Sequence, residues 1–246
     1  MGTTIVRLSH ISKSYQGHEV LKDLHLEIRQ GDFIAVSGRS GCGKSTLLNI
    51  LGLLEAPDQG TTEIFGVTNV RPFSARAQRL LRTKIAYLFQ NYALLENKSI
   101  LYNLELVFDW KVKKKERMAR MEEALKTVGL YEMRDKKACQ CSGGEQQRIA
   151  LARILLKPCD LILADEPTGN LDEQNKELVF SLLNELNRQG KAILMVTHDL
   201  SLARRCPRRL WLENGNLHTD EVLDAVSGSI GKGMVHTDQE QRICTF

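Results

Sequence analysis

The 246-residue chain is 42% hydrophobic and 26% charged, proportions that are ordinary for a globular protein and sufficient for one large domain or two lobes that share a ligand. It contains no apolar run long enough to cross a membrane, and residues 1–6 lack the pattern of a secretory signal. The net charge of +4 is too small to predict a nucleic-acid-binding surface, so we expect no nucleic-acid partner.

The first part of the chain has the pattern of a parallel α/β unit. Apolar residues alternate along residues 20–28, which predicts a half-buried strand. A short apolar run at residues 33–36 predicts a buried strand, and a glycine-rich turn follows it. A helix is predicted next, at residues 45–54. Strand, glycine loop and helix in this order are typical of phosphate-binding α/β folds.

The middle of the chain, residues 91–157, lacks strand-like runs and is rich in helix formers, so we predict an inserted helical lobe there. Two further buried strands are predicted at residues 161–164 and 192–196. Apolar residues at helical spacing between them predict an amphipathic helix. Near the end, an Asn-Gly pair between apolar residues predicts a β-hairpin over residues 210–217.

A glycine-rich segment between the first buried strand and its helix has the composition of a phosphate-binding loop. Glycines let successive backbone N–H groups turn toward an anion without Cβ clashes, and the following helix directs its N-terminus at the same phosphates. Lys44 supplies a positive charge for the β- and γ-phosphates, and the Ser45 hydroxyl is a ligand for Mg²⁺. The motif G-x-x-x-x-G-K-[ST], with the threonine after it, is matched by Gly38, Arg39, Ser40, Gly41, Cys42, Gly43, Lys44, Ser45 and Thr46.

Two acidic residues, Asp165 and Glu166, follow the predicted strand at residues 161–164. The carboxyl end of a central parallel strand lies at the crevice where α/β sheets bind ligands. We expect Asp165 to hold Mg²⁺ through water, and Glu166 to act as the general base that polarises an attacking water. The alternative is a surface turn of two acids before Pro167, which is the weaker interpretation beside a phosphate loop.

A second helix start with anion-binding features follows much later in the chain. Ser142 and Glu145 have the spacing of a capping box, which by itself indicates only a well-capped helix. Gly143 and Gly144 each weaken a helix by about 1 kcal/mol relative to alanine, so they make more sense if an anion must approach the backbone closely. Because one nucleotide needs only one such helix start, the second points to a nucleotide held by another copy of the chain.

In order and spacing, these segments resemble the motifs of the ATP-binding-cassette (ABC) ATPase family over nearly the whole chain. Residues 38–46 resemble the Walker A loop, and residues 161–166 resemble the Walker B strand with its catalytic glutamate. The family signature motif is resembled by Ser142, Gly143, Gly144 and Gln146. Cys141 stands where the family usually has leucine.

Four more positions resemble family motifs. Gln90, after an apolar run, resembles the Q-loop glutamine that contacts Mg²⁺ and the attacking water. Residues 169–172 resemble the D-loop, in which Asp172 is near the dimer interface. His198 resembles the switch histidine that contacts the γ-phosphate, and Tyr15 stands where the family stacks an aromatic ring on adenine.

The resemblance implies an α/β fold, namely a P-loop NTPase cassette with a RecA-like core, an N-terminal antiparallel β subdomain and an inserted α-helical lobe. It divides one domain, residues 1–246, into a core (1–90 and 158–218), a helical lobe (91–157) and a C-terminal tail (219–246). It implies ATP and Mg²⁺ as cofactors and hydrolysis of ATP to ADP and phosphate. The catalytic residues would be Glu166, His198, Gln90 and Lys44, and the metal would be held at Ser45, Gln90 and Asp165.

Residues 165–172 and 89–92 look most like the branch of the family that serves macrolide export, lipoprotein release and bacteriocin export. This implies two partners, a membrane permease with an extracytoplasmic domain and a second copy of the chain in an ATP-sandwich dimer. The protein would then lie at the cytoplasmic face of the membrane. We expect apolar residues after Gln90 either to contact the permease or to form the core of the helical lobe: Tyr92, Leu94, Leu95, Tyr102 and Leu104.

Three other functions remain as alternatives within the same superfamily. A cell-division regulator of the same branch has the same motifs, and the sequence does not distinguish it from a transport subunit. A DNA-associated ATPase is disfavoured because no long heptad array separates Ser45 from Ser142. A soluble translation factor is disfavoured because such proteins contain two cassettes in one chain. The residues also leave the cargo undetermined.

Overall fold

The computed structural model describes residues 2–109, 111–169 and 171–219, and it contains two sheets surrounded by helices. The strands are β1 (Thr4–Tyr15), β2 (His18–Arg29), β3 (Phe33–Ser37), β4 (Gln59–Ile64), β5 (Val67–Thr68), β6 (Ile85–Leu88), β7 (Leu161–Asp165), β8 (Ala192–Val196), β9 (Arg208–Glu213) and β10 (Asn216–Thr219). The helices are α1 (Lys44–Leu51), α2 (Ala75–Thr83), α3 (Ile100–Glu105), α4 (Lys114–Thr127), α5 (Gly143–Leu156), α6 (Glu173–Arg188) and α7 (Leu200–Ala203).

The larger sheet has six strands in the order β10-β9-β3-β8-β7-β6, and all of its pairs are parallel except the edge pair β9–β10. Strands β3 and β8 are buried along their whole length, which explains their continuous apolar sequences. Because the strands are parallel, the carboxyl ends of β3, β7 and β8 meet at one edge of the sheet. This edge positions the candidate site.

The smaller sheet is antiparallel, with the order β2-β1-β4-β5, and it forms the predicted N-terminal β subdomain. The alternating residues Leu24, Leu26 and Ile28 of β2 are buried, as the sequence predicts. They pack in one apolar cluster with α1 and with one side of the parallel sheet. The predicted α/β fold with a separate antiparallel sheet is therefore confirmed.

The first helix is shorter than predicted. It ends at Leu51 rather than at residue 54, and Gly52, whose amide makes the last helical hydrogen bond to the Leu48 carbonyl, is its C-cap. The next residue, Leu53, has a left-handed φ of 55°, which a continuing helix does not allow. The helix prediction at residues 45–54 is thus right in type and wrong at its end.

Residues 91–157 contain α3, α4 and α5 together with two short 3₁₀ turns, and their strand-like contact is an isolated bridge between Ser99 and Lys137. Helix α5 contributes to two apolar clusters. Ala150 and Leu151 pack with the parallel sheet, while Ile149 and Ala152 pack with α3 and α4. The division into core and helical lobe stays our interpretation of the chain.

The predicted hairpin is present as β9 and β10, which turn at Asn214 and Gly215. Strand β10 extends to Thr219, one residue past the predicted boundary of the core, and the rest of the predicted tail lies outside the described residues. Among the described residues, no helix is long and apolar enough to cross a membrane.

Candidate active site

A cavity of about 640 Å³ opens at the carboxyl edge of the parallel sheet, between the sheet and the end of β1. It is lined by residues from the glycine loop, from the ends of β7 and β8, and from the segment after β6. These residues are Tyr15, Val20, Ser40, Gly41, Gly43, Lys44, Ser45, Thr46, Gln90, Asp165, Glu166, Gly169, Val196 and His198. The sequence-predicted catalytic and metal-binding residues therefore meet in one place.

The glycine loop between β3 and α1 is held closed by its own lysine. Lys44 is 6% exposed, and its ammonium donates hydrogen bonds to the carbonyls of Gly38 (2.9 Å) and Arg39 (2.8 Å). Gly43, with φ 107°, precedes α1, and a Cβ there would lie 2.8 Å from Val20 Cγ1. Gly38, Arg39 and Cys42 shape the loop but do not line the cavity.

Asp165 lies at the end of β7 beside the start of α1. Burial raises the pKa of its carboxyl, while a hydrogen bond with Ser45 and the charge of Lys44 oppose this shift. A hydroxyl and a carboxylate in contact are oxygen ligands of the kind that Mg²⁺ prefers, and the Gln90 side chain supplies a further oxygen in the same cavity. The donor set fits a magnesium ion.

Glu166 has the most unusual environment in the cavity. Its φ is 46°, a left-handed conformation that is uncommon for glutamate, and its amide donates to the Val196 carbonyl at the end of β8. Oε2 accepts a hydrogen bond from the His198 amide (3.2 Å). Oε1 is buried and lies 3.2 Å from Nε2 of His198, but without hydrogen-bond geometry, so it has no hydrogen-bond partner among the described residues.

The electrostatics of Glu166 suit a proton acceptor. Burial raises the pKa of its carboxyl, and the nearby Asp165 adds to this effect, while the amide and charge of His198 and the charge of Lys44 oppose it. A buried carboxylate oxygen without a hydrogen-bond partner has a free lone pair for a water or a hydroxyl. Glu166 is therefore placed to accept a proton inside the cavity.

Tyr15 forms the outer wall of the cavity at the end of β1, where its side chain is 42% exposed. Its hydroxyl donates to both carboxylate oxygens of Glu55 (2.7 and 2.6 Å), and the Lys13 ammonium lies 3.2 Å from the same carboxylate. This fixes the ring orientation while leaving its face partly open, which suits stacking on a planar ligand.

The second predicted anion-binding segment does not reach the cavity. Ser142 caps α5 by accepting a hydrogen bond from the Glu145 amide (3.3 Å), and Glu145 accepts one from the Ser142 amide (2.7 Å), so the predicted capping box is confirmed. Four further residues predicted to bind nucleotide also lie outside the cavity lining: Gly143, Gly144, Gln146 and Asp172.

The family model described as ABC transporter matches residues 21–169, which is more than half of the chain. The chain belongs to the ABC transporter ATP-binding family. It is accordingly an ATP-binding and ATP-hydrolysing protein, the ATP-binding subunit of an ABC transporter.

Relatives agree with this assignment. The chain is 40% identical over 222 residues to the uncharacterized ABC transporter ATP-binding protein YvrO of Bacillus subtilis, covering 88% of this chain and 97% of that protein. It is 38% identical over 221 residues to the macrolide export ATP-binding/permease protein MacB of Escherichia coli. That match covers 88% of this chain but 34% of MacB, so the chain spans about a third of the MacB relatives.

Solved structures share the fold. A dimeric, post-hydrolysis form of the ATP-binding cassette MJ0796 bound to ADP and Pi is 34% identical, with a TM-score of 0.80, and the match covers 87% of this chain and 98% of that one. A nucleotide-free cassette from an ABC transporter is 21% identical with a TM-score of 0.78, and this match supports the fold alone.

The structural role of one residue of this ABC cassette is not predicted by the sequence. Gln147, in the first turns of α5, is 2% exposed, and Nε2 of its side chain donates to the Pro167 carbonyl (2.7 Å). It thereby connects α5, which begins at the predicted signature motif, to the turn that directly follows Glu166. The sequence signal is slight, because a glutamine in the polar run Gln146-Gln147-Arg148 looks like a solvent-facing residue.

The predicted D-loop is also connected to α5, through Asn175. Asp172 caps α6 by accepting from the Asn175 amide (2.8 Å), and Arg148 of α5 donates to the side-chain oxygen of Asn175. A Cβ on Gly144 would lie 3.0 Å from the same Asn175 side chain, so close packing is a second reason for glycine there. Asn170 of the predicted D-loop lies outside the described residues.

Proposed function

We propose that this chain binds Mg-ATP in its cavity, caps the ATP of a second copy with its Ser142 segment, and drives a membrane permease by hydrolysis. The observation that carries the proposal is an asymmetry within one chain. The cavity brings together the phosphate loop, the acidic pair and His198, whereas Ser142, Gly143 and Gly144 lie elsewhere on the surface. Two copies facing head to tail would complete both sites.

The phosphate loop and its neighbours would bind the nucleotide. The amides of the loop and the N-terminus of α1 would face the β- and γ-phosphates, and Lys44 would exchange its bonds with the loop carbonyls for bonds with phosphate oxygens. Tyr15 would stack on the base. Mg²⁺, held by Ser45, Asp165 and Gln90, would neutralise charge on the phosphates.

Glu166 would act as the general base. Water attacks the γ-phosphorus, its proton passes to the Glu166 carboxylate, and the bond to the bridging oxygen of ADP breaks. The raised pKa of Glu166 makes it a better proton acceptor than an exposed glutamate. His198, in contact with Glu166, would sense the γ-phosphate, so that loss of phosphate changes the contacts of both residues.

The second copy would supply the missing anion-binding groups. Ser142 and the glycines after it place a helix N-terminus at an exposed surface, where the helix dipole favours a negative group. A γ-phosphate between two helix N-termini bridges the copies, and its release weakens the bridge. The dimeric MJ0796 cassette supports this arrangement by similarity.

The permease would dock in an apolar groove of about 360 Å³ between the parallel sheet and the helical region. Leu54, Leu81, Phe89, Leu106 and Val107 supply apolar surface there. Burial lowers the pKa of two cations in the groove, Arg153 and Lys157. The MacB relatives, whose ATP-binding part shares a chain with a permease, support a membrane partner, and we infer attachment at the cytoplasmic face of the membrane.

The residues after Gln90 that we expect either to contact the permease or to form the core of the helical lobe divide between buried and exposed positions. Leu104 is fully buried and Leu94 packs in the cluster of α3, α4 and α5, so they belong to the core of that region. Leu95 and Tyr102 are exposed, at 47% and 42%. None of the five predicted residues lines the groove.

Light scattering on Glu166→Gln tests the dimer. This variant should bind ATP without hydrolysing it, and we expect ATP to shift it from monomer to dimer. Adding Ser142→Arg should prevent the shift while leaving ATP binding intact, because arginine blocks the capping surface only. A dimer that forms equally well with Ser142→Arg would contradict the role of this surface, and a monomer under all conditions would contradict self-association.

Co-sedimentation with membranes that contain the permease tests the groove. Leu106 is 53% exposed at the groove, and Leu106→Glu should release the protein from the membrane fraction with ATP hydrolysis retained. Leu178→Glu is the matched control, since Leu178 is an exposed leucine on α6 outside the groove. Equal release by both variants would mean that the groove is not the docking surface.

A further inference from the structure

Two histidines and an aspartate meet on the exposed side of the β1–β2 pair, outside the nucleotide cavity. His10 Nδ1 lies 2.7 Å from Asp23 Oδ1, and His25 Nε2 lies 3.7 Å from the same oxygen. The two imidazole rings are edge to face, with centroids 4.4 Å apart. One ligand atom from each residue falls within 4.8 Å of the other two.

Two compensating β-bulges bring these side chains together. From the pair Leu8–Leu26 to the pair Ile11–Leu24, β1 has two intervening residues, Ser9 and His10, where β2 has only His25. After the pair Ile11–Leu24, the strand with the extra residue is β2, and this second bulge lies at Asp23. His10 and Asp23 both adopt left-handed backbone, with φ of 56° and 44°. The bulges therefore turn both side chains toward His25.

The neighbouring strand β4 supports the first bulge from the other side. Its register with β1 shifts at the same place, between the pairs Ser9–Thr61 and Ser12–Gln59. Gly60 lies in this shift, and a Cβ there would be 2.2 Å from the His10 carbonyl oxygen. The backbone that positions His10 is thus fixed by close contact with β4.

The three donor atoms have the chemistry of a transition-metal site. Imidazole nitrogen suits Zn²⁺, Cu²⁺ and Ni²⁺, whereas Mg²⁺ and Ca²⁺ select oxygen ligands. Tetrahedral Zn²⁺ with ligands at ~2.0–2.1 Å requires ligand atoms roughly 3.3 Å apart. The observed separations of 2.7 and 3.7 Å lie on either side of this value. Because all three side chains are exposed, small rotamer changes adjust them and water can fill the remaining positions.

We propose that His10, Asp23 and His25 form a binding site for a divalent transition metal, Zn²⁺ first, which ties β1 to β2. The metal exchanges the His10–Asp23 hydrogen bond for coordination to both residues and adds His25 to the same centre. The site is independent of the ATP cavity, since none of its ligands lines that cavity. The competing interpretation is a surface histidine–carboxylate hydrogen bond without a metal.

Zinc titration of the full chain tests the proposal, with the cysteines kept reduced by a phosphine. Imidazole ¹H–¹⁵N spectra identify which histidines respond, and calorimetry gives the affinity. We expect substoichiometric Zn²⁺ to perturb the His10 and His25 rings before those of His18 and His218. His10→Asn, His25→Asn and Asp23→Asn should each weaken binding at least ~10-fold, since each removes a ligand. His218→Asn, an exposed histidine on β10, is the matched control and should bind like the parent.

The variants are chosen to preserve the fold. Asparagine tolerates the left-handed backbone at residues 10 and 23 better than other side chains. His25 is not among the positive-φ residues, so His25→Asn decides the outcome if either other variant unfolds. Zn²⁺ should also raise the Tm of the parent and of His218→Asn, and leave that of His25→Asn unchanged. Unshifted His10 and His25 rings, or equal Zn²⁺ affinity in the parent and His25→Asn, would overturn the proposal and place the metal on other groups.

Discussion

The ATP cavity and the surface formed by Ser142, Gly143 and Gly144 (the Ser142 surface) each contain a helix N-terminus of the phosphate-binding type. The polar groups of the two regions are satisfied in different ways. In the cavity, the buried Lys44 bonds to carbonyls of its own loop, and Glu166 has an oxygen with no hydrogen-bond partner in the part of the chain that the structure describes. At the Ser142 surface, the capping box already satisfies the amides of Ser142 and Glu145. The cavity therefore contains polar groups that a ligand can bind. The Ser142 cap is complete without a ligand, and in our proposal it acts only on the nucleotide of a second copy.

Glu166→Gln should have the largest effect, and it isolates the chemical role of the cavity. Loss of a general base lowers kcat by about 10²–10⁴-fold. Binding of ATP should change little, because the phosphate loop is untouched. Phosphate release measures the first quantity and a fluorescent nucleotide the second. Near-normal hydrolysis would remove Glu166 from the base role.

Lys44→Ala should come next, and it isolates the binding role of the same cavity. A charge-assisted hydrogen bond contributes about 1.5–3 kcal/mol, so we expect ATP affinity to fall roughly 10–100-fold. The measurement is nucleotide binding by the monomer. Lys176→Ala is the control, since this lysine bonds to Glu173 and Asp199 rather than to the loop. Equal loss in both variants would indicate a general charge effect.

Ser142→Ala tests the Ser142 surface separately from the cavity. The lost helix cap costs about 1 kcal/mol, a fall in Tm of roughly 2–4 °C. ATP affinity of the monomer should be unchanged, while ATP-driven dimerisation of the Glu166→Gln background should weaken. Ser74→Ala removes a comparable cap from α2 and serves as the control for stability alone. Weaker ATP binding by the Ser142→Ala monomer would contradict the separation of the two surfaces.

The smallest expected effect is on the pH dependence of stability. The folded state holds the Glu166 proton more tightly than the unfolded chain, because burial raises the pKa of this carboxyl. Stability should therefore fall as pH rises from the ordinary value of 4.5 through the raised pKa, and Glu166→Gln should remove this loss. Urea unfolding at several pH values measures the difference between the parent and the variant.

Glu177→Gln is a control with the opposite sign. Arg205 lowers the pKa of the Glu177 carboxyl, so the parent should be more stable than this variant above pH 4.5, with the difference disappearing as pH falls through the lowered pKa. If the stability difference between parent and variant changed with pH in the same direction for Glu166→Gln and Glu177→Gln, burial of Glu166 would not be its cause.

Most of the cavity could be predicted from sequence because its parts are local. Strands such as β8 are continuous apolar runs, and the phosphate loop is a contiguous motif. Helix α2 is not predicted, because Ala77 and Leu80 are its only buried residues and its other positions are largely polar. The end of α1 is missed because the apolar pattern continues past Gly52, whereas the left-handed backbone of Leu53 ends the helix.

Features that depend on contacts distant in sequence are not predictable in this way. The burial of Gln147 results from the position of Pro167 on another element. The left-handed Glu166 and the paired bulges at His10 and Asp23 have no local sequence signal, since none of these residues is a glycine. The Ser142 segment shows the same limit, because its motif is clear in the sequence while the ligand that we propose for it is held by a second copy.

Helix α5 gives the molecule a mechanical property. It has 14 residues, so it is a rod of roughly 21 Å. Its first turn follows Ser142, which we propose to cap the ATP of a second copy. Further along the helix, Gln147 is bonded to the turn after Glu166, and Arg153 and Ile154 line the apolar groove. In the proposed assembly, a rigid α5 would carry a small displacement of its first turn to the groove at its other end. The stiffness of this helix would then determine how much of the displacement caused by ATP hydrolysis is transmitted to the permease.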